Sequence, residues 1–418
     1  MANPVRRILL ASLVGSTIEF FDFYTYANAA VLVFPRLFFP ASDPAAAVMQ
    51  SLATFAIAFF ARPIGSAFFG QFGDRIGRKA TLVASLLTMG VSTVIIGLLP
   101  TYALLGALAP LLLALCRFGQ GFGLGGEWGG AILLATENAP AGRRGWFGMF
   151  PQLGAPIGFL LSGGIFLLLS QYLSEAQFVS YGWRIPFLGS AVLVVVGLYV
   201  RLRIAETPAF EEAVRAQQRV PVPFLAVLRG HGIALALGTL MATVTFLLFY
   251  LVTVFAQSWA TSALNIPRSQ CLVAQLIAVL FFALMIPVSG HLADRYGGRR
   301  TMMAVTVGIF IFGLFFAPLF GTGSLAQLAI FLSIGMTLMG ATYGPLGSVL
   351  GELFPTQVRY TGLSLSFNLA GVLGASLAPY IAMSLARNLD LRFVGYYLSC
   401  GALLTLTALM LAKGRVER

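Results

Sequence analysis

Charge is scarce in this chain. Asp, Glu, Lys and Arg supply 10% of its 418 residues, 58% are hydrophobic, and the mean hydropathy is +0.89. A soluble domain fills its core with far less apolar sequence, so the surplus points to a bilayer. Cysteine occurs three times, at Cys116, Cys271 and Cys400, and histidine twice, at His231 and His291. Scattered cysteines in odd number exclude a disulfide framework and a zinc spacing, so no metal is expected. No G-x-x-x-x-G-K-[ST] occurs, which removes the motif for direct ATP use. "GFGLGG" (121–126) fits G-x-G-x-x-G, but it lies inside an apolar run with Glu127 next and lacks the strand that a dinucleotide site needs. No nucleophile with a base, metal cluster or histidine pair is visible, so an enzyme is not expected and no cofactor is implied.

The apolar residues fall in blocks long enough to cross a bilayer, which takes about 20 residues per helix. Twelve can be marked: 8–34, 47–70, 80–99, 109–135, 147–170, 186–203, 232–256, 272–291, 301–320, 326–350, 361–384 and 393–412. The longest polar interval, 204–231, follows the sixth. It divides the chain into an N-terminal six-helix bundle (1–203), a cytoplasmic linker (204–231) and a C-terminal six-helix bundle (232–418). Arg6, Arg7 and "ANA" at 27–29 imitate a cleavable signal. The run between them is too long for one and carries Glu19 and Asp22, so it reads as a retained first span.

The net charge of +12 is an orientation signal. With both termini cytoplasmic, nineteen of the 26 basic residues fall in inner segments, five in outer loops, and two, Arg62 and Arg117, within spans. That is the positive-inside pattern, and it removes nucleic acid as a partner. The lipid bilayer and a small-molecule substrate remain.

Two internal repeats support the division. "GQFGDRIGRKATL" (70–82) returns as "GHLADRYGGRRTM" (290–302), and "ENAPAGRR" (137–144) as "ELFPTQVR" (352–359). Each copy falls between equivalent spans of its half, the arrangement of the parallel-repeat secondary transporters. On these residues the chain resembles a major facilitator superfamily transporter. On "GSTIEFFDFYTYANAAVLVFPRLFFP", "RFGQGFGLGGEWGGAILLATENAP", "GWRIPF", "ETPAFEE" and "ELFPTQVRYTGLSLSFNLAGVLGASLAPYIA" it resembles the metabolite:proton symporters within it. The resemblance implies an all-α membrane protein of twelve helices, with cytoplasmic ion pairs that close the inner gate. It assigns that gate to Asp74, Arg78, Glu137 and Arg144, and to Asp294, Glu352 and Arg359. One departure is Gly298, which stands where the first copy has Arg78.

Five ionisable residues lie well inside spans: Glu19, Asp22, Arg62, Arg117 and Glu127. An acid or arginine at a helix centre costs about 2.5–3.5 kcal/mol on insertion, so such groups face partners or a wet cavity. Glu19 and Asp22 are three apart and share a face with Gly15 and Tyr26. Asp22 lies about 21 Å along span one and Arg117 about 12 Å in from the other end of span four, at nearly one depth in a core of about 30 Å. The resemblance implies a first-span acid facing a fourth-span arginine. The expectation is therefore that Asp22 carries the proton and Arg117 tunes it, with Glu19 as the other carrier and Glu127 either coupling or structural. A substrate anion that takes over Arg117 leaves Asp22 desolvated, and Asp22 then binds a proton. Arg62 precedes Pro63 and reads as a cap for carbonyls freed at a kink.

The C-terminal spans offer no charge away from their ends, only Thr243, Tyr250, Gln257, Tyr343, Asn368 and Tyr380. Candidate substrate contacts are Arg117, Tyr26, Gln152, Tyr250 and Asn368. Gly121, Gly125 and Gly129 recur at the spacing that lets membrane helices pack closely. The expected function is a proton-coupled symporter importing a small organic acid or zwitterion through the cytoplasmic membrane by alternating access, with the proton as coupling ion. An exporter, a facilitator and a non-transporting receptor stay open. One chain makes a complete pathway, so a monomer is expected.

Overall fold

The computed structural model describes residues 5–40, 44–202 and 222–412. Among the described residues the regular structure is helical. The spans are α1 (Val5–Leu32), α2 (Pro44–Arg75), α3 (Arg78–Leu98), α4 (Leu108–Thr136), α5 (Arg144–Tyr172) and α6 (Arg184–Leu202). In the second half, α7 runs Gly232–Tyr250 and continues through a π turn, Leu251–Phe255, into Ala256–Ser262. Then come α8 (Arg268–Tyr296), α9 (Gly298–Leu314 with Phe316–Phe320) and α10 (Leu325–Gly351). The last two are α11 (Arg359–Gly371, a π turn Val372–Ser376, and Ala378–Asn388) and α12 (Leu391–Leu411). The described part of the linker forms a short helix, Pro223–Gly230, set against α2 and α11. Helices are the form such apolar runs take, because a bilayer offers no other partner for backbone N–H and C=O groups.

Eleven of these helices are long and apolar enough to cross a membrane. The exception is α9, which is interrupted at Phe315. Pro318 explains the break: it has no N–H to give the carbonyl of Leu314, so the ladder cannot run straight through.

In the first half α1 packs on α5, and α4 packs on both α2 and α3. In the second half α8 packs on α10, α9 on α12, and α7 on both α11 and α12. The halves meet where α5 lies on α8 and α2 on α11. Helix crossings this close need small residues. A Cβ added at Gly121 would run into the Ala58 backbone of α2, and one at Gly125 into the backbone of Arg62 and Ser66. The third member of the stripe, Gly129, faces Ser364 of α11 instead, so the stripe serves both a contact within the half and one between halves.

The repeated sequence D-R-x-G closes the turns α2–α3 and α8–α9. Gly77 (φ 126°) and Gly297 (φ 91°) both adopt positive φ, which a Cβ disfavours. Nothing lies within 4 Å of an added Cβ at Gly297, so the cost of Gly297→Ala is backbone strain alone, about 1–3 kcal/mol. Gly125→Ala forces two helices apart and should lower the thermal unfolding midpoint of the purified protein more than Gly297→Ala does.

Candidate functional site

Between the two halves lies a small cavity of about 30 Å³. Most of its wall is aromatic: Phe20, Phe23 and Tyr24 from α1, Phe246, Phe249 and Tyr250 from α7, Phe282, Tyr343 and Phe367. Two charged residues line it, Glu19 from α1 and Arg62 from α2. Both are buried, at 2% and 3% exposure. Neither makes a hydrogen bond among the described residues, and Glu19 Oε2, Arg62 Nε and the Tyr343 hydroxyl are buried without a partner. The Arg62 guanidinium instead rests 4.4 Å from the ring centre of Phe23 and 4.8 Å from that of Phe59. Thus Arg62 does not cap the carbonyls at Pro63 as the sequence suggested; Ser66 Oγ meets the Arg62 carbonyl at 2.7 Å, and the guanidinium faces the cavity. Asn368 and Tyr250 line the same space. Tyr250 directly precedes the π turn of α7, the kind of helix irregularity found at functional sites.

The expected direct pair of Asp22 with Arg117 is not formed. Asp22 is fully buried and accepts hydrogen bonds from Ser190 Oγ of α6 (2.5 Å) and Thr93 Oγ1 of α3 (3.1 Å). Arg117 donates to Gln120 Oε1 (3.0 Å), and Gln120 Nε2 donates to Thr93 Oγ1 (2.7 Å). Acid and cation are therefore joined through two neutral side chains. The guanidinium sits in an aromatic box, 4.1 Å from the ring centre of Tyr26, 4.6 Å from Phe23 and 4.8 Å from Phe55. The depth estimate placed both groups at one level but could not see their azimuths. Residues three apart on a helix differ by about 60°, enough to send Glu19 into the cavity and Asp22 into the bundle. Of the substrate candidates, Arg117 and Tyr26 lie in this box. Tyr26 donates its hydroxyl to Thr54 Oγ1 (2.8 Å). Gln152 spans the halves, accepting from Trp128 Nε1 (2.8 Å) and donating to the Tyr343 carbonyl (2.7 Å).

Glu127 has a partner that the sequence reading missed. It is ion-paired with Arg201 at the end of α6, with both side chains buried, and it also accepts from Ser85 Oγ (3.2 Å). The Arg201 guanidinium donates to the Leu82 carbonyl and lies against Gly15 of α1, where a Cβ would strike it. Position in the tally had assigned Arg201 to the basic inner segment. The available signal was its place inside the sixth apolar block.

At the face that carries the described chain ends, carboxylates and arginines bridge the halves. Asp74 accepts from the backbone N–H (3.1 Å) and Oγ1 (2.8 Å) of Thr361 in the first turn of α11. Asp294 accepts from the N–H groups of Gly145 (2.7 Å) and Trp146 (2.8 Å) in the first turn of α5. Each repeat's aspartate thus caps a helix start in the opposite half, where free N–H groups and the helix dipole favour negative charge. Arg359 stands 3.8 Å from Glu137, and Arg144 faces Glu352 across a recess shared with Asp294. The side chain of Arg78 lies outside the described residues. Deeper in, Trp128 stacks on Phe367 at 3.5 Å, Tyr360 donates to the Gly126 carbonyl, and Asn368 Nδ2 reaches Ser66 Oγ (3.2 Å) and the Gly125 carbonyl (3.2 Å). The opposite face is open. A vestibule of about 270 Å³, lined by Asn28, Gln257, Thr261 and Gln275, meets the central cavity at Phe23, Tyr24, Phe249 and Tyr250. Among the described residues no group of three His, Cys, Asp or Glu side chains is placed to hold a metal ion.

A cavity between two six-helix halves, closed at one face and open at the other, defines a transporter. The sequence matches the pattern of the Major Facilitator Superfamily over residues 13–379 and 243–416, and the chain belongs to that family. It is 57% identical over 414 residues to the inner membrane metabolite transport protein YhjE of Escherichia coli (strain K12), covering 98% of this chain and 94% of that one. It is 36% identical over 423 residues to the shikimate transporter of the same organism (98% and 95% covered). Identity to the proline/betaine transporter of Salmonella typhimurium is 32% over 409 residues (95% and 81% covered). The proton:xylose symporter XylE bound to 6-bromo-6-deoxy-D-glucose has the same fold, with a TM-score of 0.78 at 17% identity, over 99% of this chain and 96% of that one.

Removing a hydrogen bond to a charged group costs about 1.5–3 kcal/mol. Asp294→Ala should therefore open the closed face, seen as a longer distance between spin labels at Ala141 and Arg300. Glu352 lies outside the spans; burial pushes its carboxyl above the ordinary glutamate range, against the pull of Arg144 and Arg359. The folded state therefore holds this proton more tightly than the unfolded one. Its contribution to stability is largest at low pH and is lost as pH rises from the ordinary value through the raised one. Glu352→Gln should flatten the unfolding midpoint against pH across that window.

Proposed function

We propose that the chain is a proton-coupled symporter, importing a small metabolite with a carboxylate through the inner membrane by alternating access. Glu19 is the proton carrier and Arg62 the anion contact. The observation that carries this reading is the pair of buried charges on one cavity wall, neither with a hydrogen-bonding partner. Burying a charged group with its hydrogen-bonding capacity unmet is costly, so each group is poised to take a ligand. The relatives named as shikimate and proline/betaine transporters support a substrate with a carboxylate. The aromatic wall suits an apolar ring or an onium group beside it.

The mechanism is a competition for Arg62. While the cavity holds only water, Arg62 is the cation that balances Glu19. A substrate carboxylate that pairs with Arg62 leaves Glu19 as an unbalanced buried anion, and it takes up a proton from the open vestibule. The cavity then carries no surplus negative charge and closes without stranding one. With the termini cytoplasmic, as the basic residues favour, the open vestibule faces outward, and an inward proton gains about 2.3 kcal/mol per 100 mV. The double carboxylate clamp holds the inner face shut until the outer one closes.

Uptake of shikimate, proline and betaine into membrane vesicles, with and without an imposed pH gradient, tests this. Glu19→Gln should abolish gradient-driven accumulation of the transported compound and leave exchange intact. Arg62→Lys should raise KM at least tenfold. Accumulation that survives in Glu19→Gln, or wild-type uptake indifferent to collapse of the gradient, refutes the proposal.

A further inference from the structure

Below Glu19, on the closed side, α1 carries two more buried polar groups that find no partner. Ser12 Oγ and Ser16 Oγ join Glu19 Oε2 in lacking a hydrogen bond, at 2%, 0% and 2% exposure. Positions 12, 16 and 19 follow the i, i+4, i+7 spacing and share one helix face. Along the axis the steps are about 4.5 Å and 6 Å, gaps that a water molecule bridges. Hydroxyls buried in an apolar bundle normally bond to the carbonyl four residues back, as Thr17 does to Leu13 at 2.8 Å. Ser12 and Ser16 leave that option unused. Beyond Ser12 the stripe ends at a small apolar cluster, separate from the main core, made of Ile8, Ala11, Leu82 and Leu134.

From this geometry we infer that the Glu19–Ser16–Ser12 stripe is the release path for the proton, stoppered at the closed face by the Ile8–Leu82–Leu134 cluster. The inference rests on the reading of Glu19 as carrier. The step is a proton transfer: the Glu19 O–H bond breaks, the proton passes through solvent water and the two hydroxyls in turn, and it reaches bulk water when the cluster parts. Each hydroxyl accepts one proton and gives up another, so nothing is consumed. Two guanidinium groups stand near the carboxyl. Arg62 of α2 stands on the cavity side. One turn below, against Gly15, is Arg201 of α6, fixed by Glu127 of α4 and by the Leu82 carbonyl. Paired with Glu127, it places no net charge against a proton moving along the stripe. α5 contributes the neutral Gly154 against Ser16. Arg201 is thus a positioning residue of the path, and the same Leu82 belongs to both its anchor and the stopper.

The test needs no substrate. Purified protein is reconstituted in liposomes loaded with a pH-sensitive dye, and a potassium diffusion potential drives protons inward. Ile8→Ala with Leu134→Ala should raise the proton leak at least tenfold over wild type. Adding Ser12→Ala and Ser16→Ala, or Glu19→Gln, in that background should return it to the wild-type rate, and Ser12→Thr should keep the leak. If the double variant does not fold, Ile8→Ala alone carries the same expectation. A stopper variant that does not leak, or a leak indifferent to the serines, overturns the path while leaving Glu19 as carrier. Gradient-driven accumulation that survives Glu19→Gln removes the carrier and the path with it.

Discussion

The low dielectric of the bundle governs this protein. In such surroundings a charge must be paired, hydrogen-bonded or given a ligand. Glu127 and Arg201 meet the demand by pairing, Asp22 by two hydroxyls, and Arg117 by an amide and three rings. Arg62 has only the rings of Phe23 and Phe59 and Glu19 has no hydrogen bond, and of this set these two alone line the central cavity. What distinguishes this pair is therefore an unmet hydrogen-bonding demand, placed on the cavity wall.

The same principle works in reverse at the closed face. There the unmet groups are backbone N–H donors at the starts of α5 and α11, and each is answered by an aspartate from the other half. The contacts are reciprocal because the sequence is repeated: one motif, read twice, caps twice. Beneath this layer Trp128 on Phe367 and the glycine contacts of α4 exclude water between the halves. A closure built from a few directional hydrogen bonds and one stacked pair can be undone without disturbing the core of either half. That is what a rocking motion between rigid bundles requires.

Much of this was legible beforehand. Apolar blocks marked the twelve spans, because a bilayer fixes helix length; only the break in α9 at Pro318 went unread. The repeated D-R-x-G recurs at both turns, where Gly77 and Gly297 share a backbone conformation that other residues avoid. Of the candidate substrate contacts, Tyr250 and Asn368 lie on the cavity wall, and Glu19 and Arg62 stand out in the sequence as charges inside spans. What stayed hidden was pairing. The depth of Asp22 and Arg117 was legible, but the Gln120–Thr93 bridge was not. Arg201 was counted with the basic inner segment, although its guanidinium turns inward to Glu127.

Sequence alone determined the fold family, the number and length of the helices, the turn geometry and the supply of intramembrane charge. All of these follow from local composition, spacing and repetition. Tertiary structure alone decided which charge meets which partner and which meets none. A helix with 3.6 residues per turn converts one step along the chain into a 100° rotation. A side chain's surroundings therefore depend on how neighbouring helices are rotated and set, which no single segment encodes.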